Sequence, residues 1–216
     1  MQVEFRRADW PFASVFRIAY RVSKVAETVH VRLTDGPFAG RGEALGVSYH
    51  GETVDTMLAQ LEAAKAELAG GISRDELLEL LPAGGARNAV DCALWDLEAK
   101  RSGKRAWELA GLPEIRPITT DCTLGLDSPQ AMAKAAAAAR RYPVLKLKLS
   151  GEGDLERVLA VRAERPDAVL IVDANQAWNE RQLRELIPRF SEIGVGLVEQ
   201  PLASGQDEAL TGYEIP

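Results

Sequence analysis

The stretch that decides the fold is residues 144–149, which read Val-Leu-Lys-Leu-Lys-Leu. Alternation with a period of two places Lys146 and Lys148 on one face of a β-strand and the leucines on the other. Taken alone, this pattern is typical of an edge strand that has one face in water. The two apolar runs that follow favour a different interpretation.

Each of these two runs ends in a carboxylate. Asp173 ends the run at 168–172, and Glu199 ends the run at 195–198. The intervals from Lys148 to Asp173 and from Asp173 to Glu199 are about 25 residues each, roughly the length of a strand and its crossover helix. In a (β/α) barrel the carboxyl ends of the strands form the rim where the chemistry takes place. We therefore expect these charged groups to meet at that rim.

Composition limits the possible partners and the compartment. The 216 residues carry 26 basic and 32 acidic side chains, a net charge of −6 without a basic stripe, so neither nucleic acid nor a membrane is an expected partner. Residues 1–20 contain Arg6 and Arg7 and no apolar core of a signal peptide. Cys92 and Cys122 do not make a disulfide framework, and we expect both to be small buried side chains. A reducing cytoplasm fits this composition.

The first half of the chain predicts an α+β capping domain over residues 1–113. A three-stranded antiparallel meander is expected first, and helical spacing of apolar residues follows. The predicted strands cover 2–10, 27–34 and 40–44, and the predicted helices cover 52–68, 73–81 and 86–100. The last of these helices is rich in small side chains, which would allow close packing.

The second half, residues 114–216, predicts the first half of a (β/α) TIM-like barrel. Strands alternate with helices, which is typical of a parallel sheet with helices outside. The predicted strands cover 117–124, 144–149, 168–173 and 195–199, and the predicted helices cover 128–141, 155–164 and 179–192. About four barrel strands are present in the sequence, and the rest of the barrel is missing from it. The predicted fold class is therefore α/β, with a capping domain before a partial barrel.

Three motifs on these strands resemble those of a known family. Lys146-Leu147-Lys148, Asp173-Ala174-Asn175 and Glu199-Gln200-Pro201 are similar to the Lys-x-Lys, Asp-x-Asn and Glu-Gln-Pro motifs of the muconate lactonizing subgroup of the enolase superfamily. Within that subgroup the chain most resembles the dipeptide (L-Ala-D/L-Glu) epimerases, and residues 81–97 are particularly close. The resemblance covers the whole chain in order.

The resemblance implies a Mg²⁺-dependent 1,1-proton transfer at the α-carbon of a dipeptide, through an enediolate. It makes Asp173 and Glu199 metal ligands, Lys148 the base, Lys146 a residue that lowers the pKa of Lys148 and contacts the substrate carboxylate, and Asn175 a residue that orients the ligands. The chemistry agrees, because enediolate charge needs preorganised positive charge and oxygen ligands suit Mg²⁺. A lysine with a free pKa of roughly 10.4 becomes a base only when its surroundings lower that value.

Substrate contacts are also implied. Residues 16–24 match the mobile loop that grips the substrate side chain in this family, and there Arg21 could hold a glutamate carboxylate through two hydrogen bonds. Lys24 is a rival for that role, and both side chains could instead be simply solvated. Thr123 is a further candidate contact, with a buried and satisfied hydroxyl as its alternative.

The sequence also departs from the family pattern. The family pattern has a third metal carboxylate soon after the position of Pro216 and a second lysine on the opposite face of the substrate, and neither is in the sequence. We therefore expect a C-terminally truncated chain that is inactive as it stands. A homo-oligomer in which another copy completes the barrel is the alternative.

Other interpretations stay open at this point. Asp173 and Glu199 could cap helices, and Lys146 could merely pair with a carboxylate. Related activities are those of N-acylamino acid racemase, o-succinylbenzoate synthase and muconate cycloisomerase. A non-catalytic half-barrel and a lysine Schiff-base aldolase are the remaining alternatives.

Overall fold

Three strands open the chain in the computed structural model, which describes residues 1–214. They are β1 (Gln2–Ile18), β2 (Arg21–Asp35) and β3 (Phe38–Leu45), and they lie in the order β1-β2-β3. The predicted meander is confirmed. However, β1 and β2 continue through most of residues 16–24, where a loop was expected, because this segment is rich in the β-branched and aromatic residues that favour strands.

The helices of the first half are α1 (Val54–Ala63), α2 (Lys65–Gly70), α3 (Arg74–Leu80), α4 (Gly85–Ser102) and α5 (Ala106–Leu109). The single helix predicted over 52–68 is therefore two helices, which meet at Ala64. Contacts divide the described chain into two units. The first contains Met1–Pro11 and Val25–Arg116, and the second contains Phe12–Lys24 and the chain from Pro117 onward.

The core of the first unit depends on a close approach between β3 and α4. A Cβ atom on Gly42 would lie 1.9 Å from the backbone oxygen of Ala89, and one on Gly40 would lie 2.0 Å from that of Ala93. Only glycine therefore permits this packing distance. The prediction that small side chains let α4 pack closely is confirmed, and the strand that it contacts contributes glycines of its own.

The second unit contains a parallel sheet with strand order β4-β5-β6-β7. The strands are β4 (Asp121–Leu124), β5 (Val144–Lys148), β6 (Val169–Asp173) and β7 (Val195–Glu199), and the helices between them are α6 (Pro129–Ala138), α7 (Asp154–Glu164) and α8 (Glu180–Ile193). This confirms the predicted fold class of a capping domain followed by a partial barrel.

The two faces of this sheet differ sharply. Leu145, Leu147 and Leu149 are fully buried in a core that they share with α6, α7 and α8. Lys146 and Lys148, which alternate with them, therefore project from the opposite face. The period-two pattern of residues 144–149 thus separates a face covered by helices from a face that carries charge.

One buried arginine lies at the end of the sheet where the parallel strands begin, which we call the starting end. Arg165, which follows α7, is only 1% exposed, and its guanidinium donates to the carbonyl oxygens of Ala139 (3.1 Å) and Tyr142 (2.9 Å) and to the carboxylate of Asp167 (2.8 Å). It thus adds a donor to carbonyl groups at the C-cap of α6 and in the turn that follows the helix. Its charge is neutralised by the carboxylate two residues later.

The prediction for the cysteines was wrong in part. Cys92 is exposed and Cys122 is half-buried, and both are free thiols. Cys92 points away from β3 because the buried positions of α4 fall at Ala89, Ala93 and Leu97, on the other side of the helix. No helix among residues 1–214 combines the length and the apolar character needed to cross a membrane.

Candidate functional site

Four charged side chains meet at the carboxyl ends of three adjacent strands. In the sheet register Lys148 lies opposite Asp173, and Asp173 lies opposite Glu199. The ammonium nitrogen of Lys146 is 3.3 Å from Asp173 Oδ2 and 2.6 Å from Glu199 Oε2, and that of Lys148 is 2.5 Å from Asp173 Oδ2. The predicted convergence of these residues is therefore present in the structure.

Asp173 is the most enclosed member of the group, with a side chain that is 1% exposed. Burial by itself raises the pKa of Asp173. The hydrogen bonds from Lys148 and from the backbone N–H of Asn175, together with the charges of both lysines, outweigh burial and lower the pKa below its usual range. The buried carboxylate is consequently held in its charged form.

Lys146 is held in its charged form as well. Burial acts to lower the pKa of Lys146, but the hydrogen bond to Glu199 and the negative charges of Asp173 and Glu199 raise it above its usual value. The Glu199 side chain is 38% exposed, so water screens the Lys146–Glu199 pair more than it screens the pairs at Asp173. One ammonium group thus bridges two carboxylates from neighbouring strands.

The turn that follows β6 has an uncommon backbone. Asn175 and Gln176 have φ angles of 48° and 67°, and Gln200 after β7 has a φ of 44°. Residues other than glycine seldom adopt this left-handed region, and such positions concentrate at functional sites. The geometry lets the N–H of Asn175 donate to Asp173 Oδ1 at 2.9 Å.

The side chain of Asn175 has an acceptor without a donor. Asn175 is 8% exposed, and its Oδ1 atom is buried with no hydrogen-bond partner among the described residues. Burying a polar atom without a partner costs free energy, and such atoms in native proteins often mark a functional site. The sequence predicted that Asn175 lies beside the proposed metal ligands. Only the structure shows its left-handed backbone conformation and its side-chain oxygen, which is unpaired within residues 1–214.

Backbone hydrogen bonds tie the turn after β6 to the turn after β7, beyond the ends of both strands. Every second N–H group along the first turn donates to successive carbonyl groups from Glu199 onward. The bonds run from Ala174 to Glu199 (3.1 Å), from Gln176 to Gln200 (2.7 Å) and from Trp178 to Pro201 (2.9 Å). The two carboxylates are therefore set by one continuous backbone ladder.

One of the alternatives is excluded by the structure, and another stays open. Helix α8 is capped by Asn179, and the turn at Asp207–Leu210 begins well after Glu199, so neither Asp173 nor Glu199 caps a helix. Lys146 does pair with carboxylates, as its structural interpretation expected. Lys146 could be a purely structural partner of these carboxylates or a member of a catalytic group. The observed pairing is compatible with both interpretations, because a point between two carboxylates suits an ammonium group or a metal ion.

The predicted substrate-binding residues are less closely associated with this site. Thr123 lies opposite Lys146 in the register of β4 and β5, and its exposed hydroxyl donates to Asp121 at 3.3 Å. The alternative of a buried hydroxyl is therefore wrong for Thr123, although the hydroxyl does have a hydrogen-bond partner. Arg21 and Lys24 are exposed on β2. No hydrogen bond or ion pair within residues 1–214 joins either of them to the charged group.

The two carboxylates alone do not reach the three protein ligands that are usual for a bound metal ion. Across the described part of the chain, no group of three or more His, Cys, Asp or Glu side chains is arranged to hold one ion. Asp173 and Glu199 nevertheless present oxygen atoms within reach of a single cation, as the position of the Lys146 ammonium shows. These are the ligands that Mg²⁺ prefers.

Comparison with known proteins gives the family. Residues 1–111 match the N-terminal domain of the mandelate racemase/muconate lactonizing enzyme family, and residues 130–214 match the enolase C-terminal domain-like family. The chain therefore belongs to the mandelate racemase/muconate lactonizing enzyme family of the enolase superfamily.

Several relatives act on dipeptides or acylated amino acids. The chain is 36% identical over 209 residues to the L-Ala-D/L-Glu epimerase of Escherichia coli strain K12, covering 96% of this chain and 65% of that protein. It is 35% identical over 188 residues to an N-acetyl-D-glutamate racemase of a Pseudoalteromonas species, covering 86% and 59%. The chain thus spans about two thirds or less of these relatives.

Solved structures agree with this assignment. An enolase family member from Agrobacterium tumefaciens, described as homologous to dipeptide epimerases and holding sodium and L-Ala-L-Glu, superposes with a TM-score of 0.94 at 38% identity, over 99% of this chain and 66% of that one. The dipeptide epimerase of Enterococcus faecalis V583, complexed with Mg and L-Leu-L-Tyr, has a TM-score of 0.87 at 28% identity, over 97% and 63%.

Proposed function

We propose that the intact protein is a Mg²⁺-dependent dipeptide epimerase that moves a proton at the α-carbon of a dipeptide such as L-Ala-D/L-Glu. The observation that carries this proposal is the convergence of Lys146, Lys148, Asp173 and Glu199 at three adjacent strand ends. The family membership and the dipeptide-acting relatives support it. The reaction class is an isomerisation.

We propose that Asp173 and Glu199 hold the metal ion, with Asn175 keeping Asp173 in position. The bridging ammonium of Lys146 supports this, because it marks a point where one cation reaches both carboxylates. When bound there, Mg²⁺ supplies positive charge that favours loss of a proton next to a carboxylate. The Enterococcus faecalis epimerase, complexed with Mg, supports the choice of ion.

We assign Lys148 the role of the base that removes the α-proton. Its side chain is 12% exposed and fixed by Asp173, so little motion is needed to orient it towards a substrate on this face. Lys146, which is 20% exposed, is placed to contact the substrate carboxylate. Both lysines project from the sheet face that the helices leave uncovered.

Arg21, Lys24 and Thr123 are proposed substrate contacts. Thr123 lies beside Lys146 in the sheet, which supports a role near the substrate carboxylate. Arg21 and Lys24 are exposed cations on the segment Phe12–Lys24, which contacts the end of β4 through the hydrogen bond from the Leu126 N–H to the Arg17 carbonyl (2.9 Å). A cation on that segment suits an acidic side chain in the dipeptide.

Epimerisation also requires a proton donor on the opposite face of the α-carbon. We expect the second lysine and the third carboxylate of the family pattern in the portion of the relatives that this chain does not span. On that view the 216 residues alone do not epimerise a dipeptide. The predicted domains at 1–113 and 114–216 would then be the cap and the incomplete barrel of one enzyme. A cytoplasmic location and a homo-oligomer stay predictions.

The direct test is exchange of the substrate α-proton with deuterated solvent. The intact protein with Mg²⁺ is incubated in D₂O with L-Ala-L-Glu and separately with L-Ala-D-Glu, and proton NMR follows loss of the α-proton signal. We expect exchange with both epimers. Absence of exchange with these and with a panel of other dipeptides would sink the proposal.

A second candidate is racemisation of an N-acylated amino acid. The relative from Pseudoalteromonas, an N-acetyl-D-glutamate racemase at 35% identity, favours it. The same NMR experiment with N-acetyl-L-glutamate separates the two. Exchange of that compound at a higher kcat/KM than any dipeptide would make it the substrate.

A further inference from the structure

A second buried carboxylate lies close to the site without belonging to it. Asp154, the first residue of α7, is 1% exposed, and its two oxygens accept four hydrogen bonds. The donors are the backbone N–H groups of Ser150 (3.0 Å) and Gly151 (2.7 Å), the indole nitrogen of Trp178 (2.8 Å) and the guanidinium of Arg157 (3.1 Å). Each of the two carboxylate oxygens of Asp154 therefore accepts two hydrogen bonds.

Three of these donors come from two of the loops that leave the site. Ser150 and Gly151 lie in the loop after Lys148, separated from it by Leu149, and Trp178 belongs to the turn that follows Asp173. We propose that Asp154 is a positioning residue that ties the loop after β5 to the turn after β6, and so holds Lys148 against Asp173. This inference rests on the proposed function for its catalytic meaning, but the mechanical coupling is a property of this chain alone.

The loop is held on its other side as well. The carbonyl oxygen of Gly151 accepts from the side chain of Gln182 on α8 at 3.0 Å. Gly151 has a φ of +96°, and a Cβ atom there would lie 2.9 Å from that Gln182 nitrogen. The position therefore needs glycine both for its backbone conformation and for space. Hydrogen bonds to Asp154 on one side and to Gln182 on the other therefore restrict the conformation of the loop after β5.

A backbone hydrogen bond connects the start of this loop to the site. The N–H of Leu149 donates to the carbonyl oxygen of Asp173 at 2.9 Å, directly after Lys148 in the chain. Within residues 1–214, no hydrogen bond joins Leu149 to Asp154, whose donors are Ser150, Gly151, Arg157 and Trp178. Its amide consequently reports whether loosening the anchor is transmitted to the end of β5.

The cost of burying the Asp154 charge is offset by Arg157. The Arg157 guanidinium donates to Asp154 and, through Nε, to the carbonyl oxygen of Asp127 at 2.8 Å. Asp127 follows β4, so the network reaches a third loop of the same rim. Asp154 thus has one ionic partner and three further hydrogen-bond donors.

The experiment uses NMR of the protein to measure amide hydrogen exchange in wild type, Asp154→Asn and Trp178→Phe. In Asp154→Asn we expect the Ser150, Gly151 and Leu149 amides to exchange about tenfold faster, because an amide group cannot replace both carboxylate oxygens as acceptors. Trp178→Phe removes one donor only, and we expect about a threefold acceleration at Gly151 and Leu149. If Asp154→Asn fails to fold, Trp178→Phe carries the test.

The matched control is Asp167→Asn, which removes a carboxylate at the opposite end of the same sheet. We expect it to leave all three amides unchanged. Acceleration at Ser150 and Gly151 without any at Leu149 would make Asp154 a purely local anchor and overturn the inference. Equal acceleration in the control, or none in either Asp154→Asn or Trp178→Phe, would also overturn it.

A second readout separates this inference from the proposed function. If the intact protein exchanges the α-proton of a dipeptide, Asp154→Asn should lower kcat by about 100-fold and leave KM nearly unchanged, because a base displaced by about an ångström still permits binding. A wild-type protein without that activity would refute the proposed function. The Leu149 result would then still decide whether Asp154 sets the position of the strand end.

Discussion

The two ends of the parallel sheet bury charge in opposite ways. At the starting end, Arg165 is matched to carbonyl groups and to Asp167, and Arg162 donates to the carbonyl oxygens of Ala168 (2.7 Å) and Gly194 (2.9 Å). At the carboxyl end, two ammonium groups share the same oxygen of Asp173. At the starting end, each arginine has acceptors of its own. At the carboxyl end, two lysines share one enclosed carboxylate.

The backbone shows the same contrast. Next to the carboxyl end, Asn175, Gln176 and Gln200 occupy left-handed conformations, and Asn175 keeps a buried oxygen without a partner among the described residues. Strain and unmatched polar atoms persist where they serve a function. The difference fits our proposal that the starting end stabilises the fold and that the carboxyl end binds a metal ion and a substrate.

The largest effect is expected for Lys148→Ala in the intact protein. Loss of the proposed base should reduce α-proton exchange from one epimer by about 1,000-fold, the range typical of general base catalysis, with the fold kept. Proton NMR in D₂O measures it. Lys134→Ala, on the exposed side of α6, is the control and should exchange normally. Near-normal exchange in Lys148→Ala would remove this lysine from the chemistry.

Arg165→Met tests the contribution of the starting end of the sheet to stability. It should lower the free energy of unfolding by about 3 kcal/mol, because the carbonyl groups of Ala139 and Tyr142 lose a buried charged donor and Asp167 loses its partner. Urea unfolding measures this, and Arg140→Met, which removes an exposed ion pair with Glu164, should change stability by less than about 0.5 kcal/mol. Equal losses in the two variants would contradict the structural role given to Arg165.

Glu199→Gln addresses the metal. Removal of one proposed ligand charge should weaken Mn²⁺ binding, measured by electron paramagnetic resonance, by about 100-fold, at least as much as loss of a residue that merely orients a ligand. The exposed Glu192→Gln on α8 should bind Mn²⁺ as the wild type does. Unchanged affinity in Glu199→Gln would place the ion elsewhere.

The smallest effect concerns pH. The hydrogen bond from Arg165 lowers the pKa of Asp167 from its model-compound value of 3.8 to about 2. A carboxyl with a lowered pKa in the folded state stabilises the protein above about pH 4 and loses that contribution as the pH falls towards 2. The difference in unfolding free energy between wild type and Asp167→Asn should therefore shrink from pH 6 to pH 2. A constant difference would show that the charge of Asp167 contributes nothing.

The strand pattern was the most informative part of the sequence. Period-two alternation at residues 144–149 correctly separated Leu145 and Leu147 from Lys146 and Lys148, because side-chain direction in a strand is fixed by geometry. The segment at 16–24 was predicted as a loop, although its residues favour strands, because the family pattern was given more weight than local propensity. Cys92 was misplaced because burial on α4 depends on which helix face meets β3.

The sequence by itself determined which residues alternate and at what intervals the strands recur. These features are local, so they predicted the parallel sheet and brought Lys148, Asp173 and Glu199 to one edge. Only the tertiary structure decided that Lys146 bridges both carboxylates, that Asn175 keeps a free oxygen and that Asp154 joins two loops. Those contacts depend on loop conformations and on groups far apart in the chain, which no local pattern specifies.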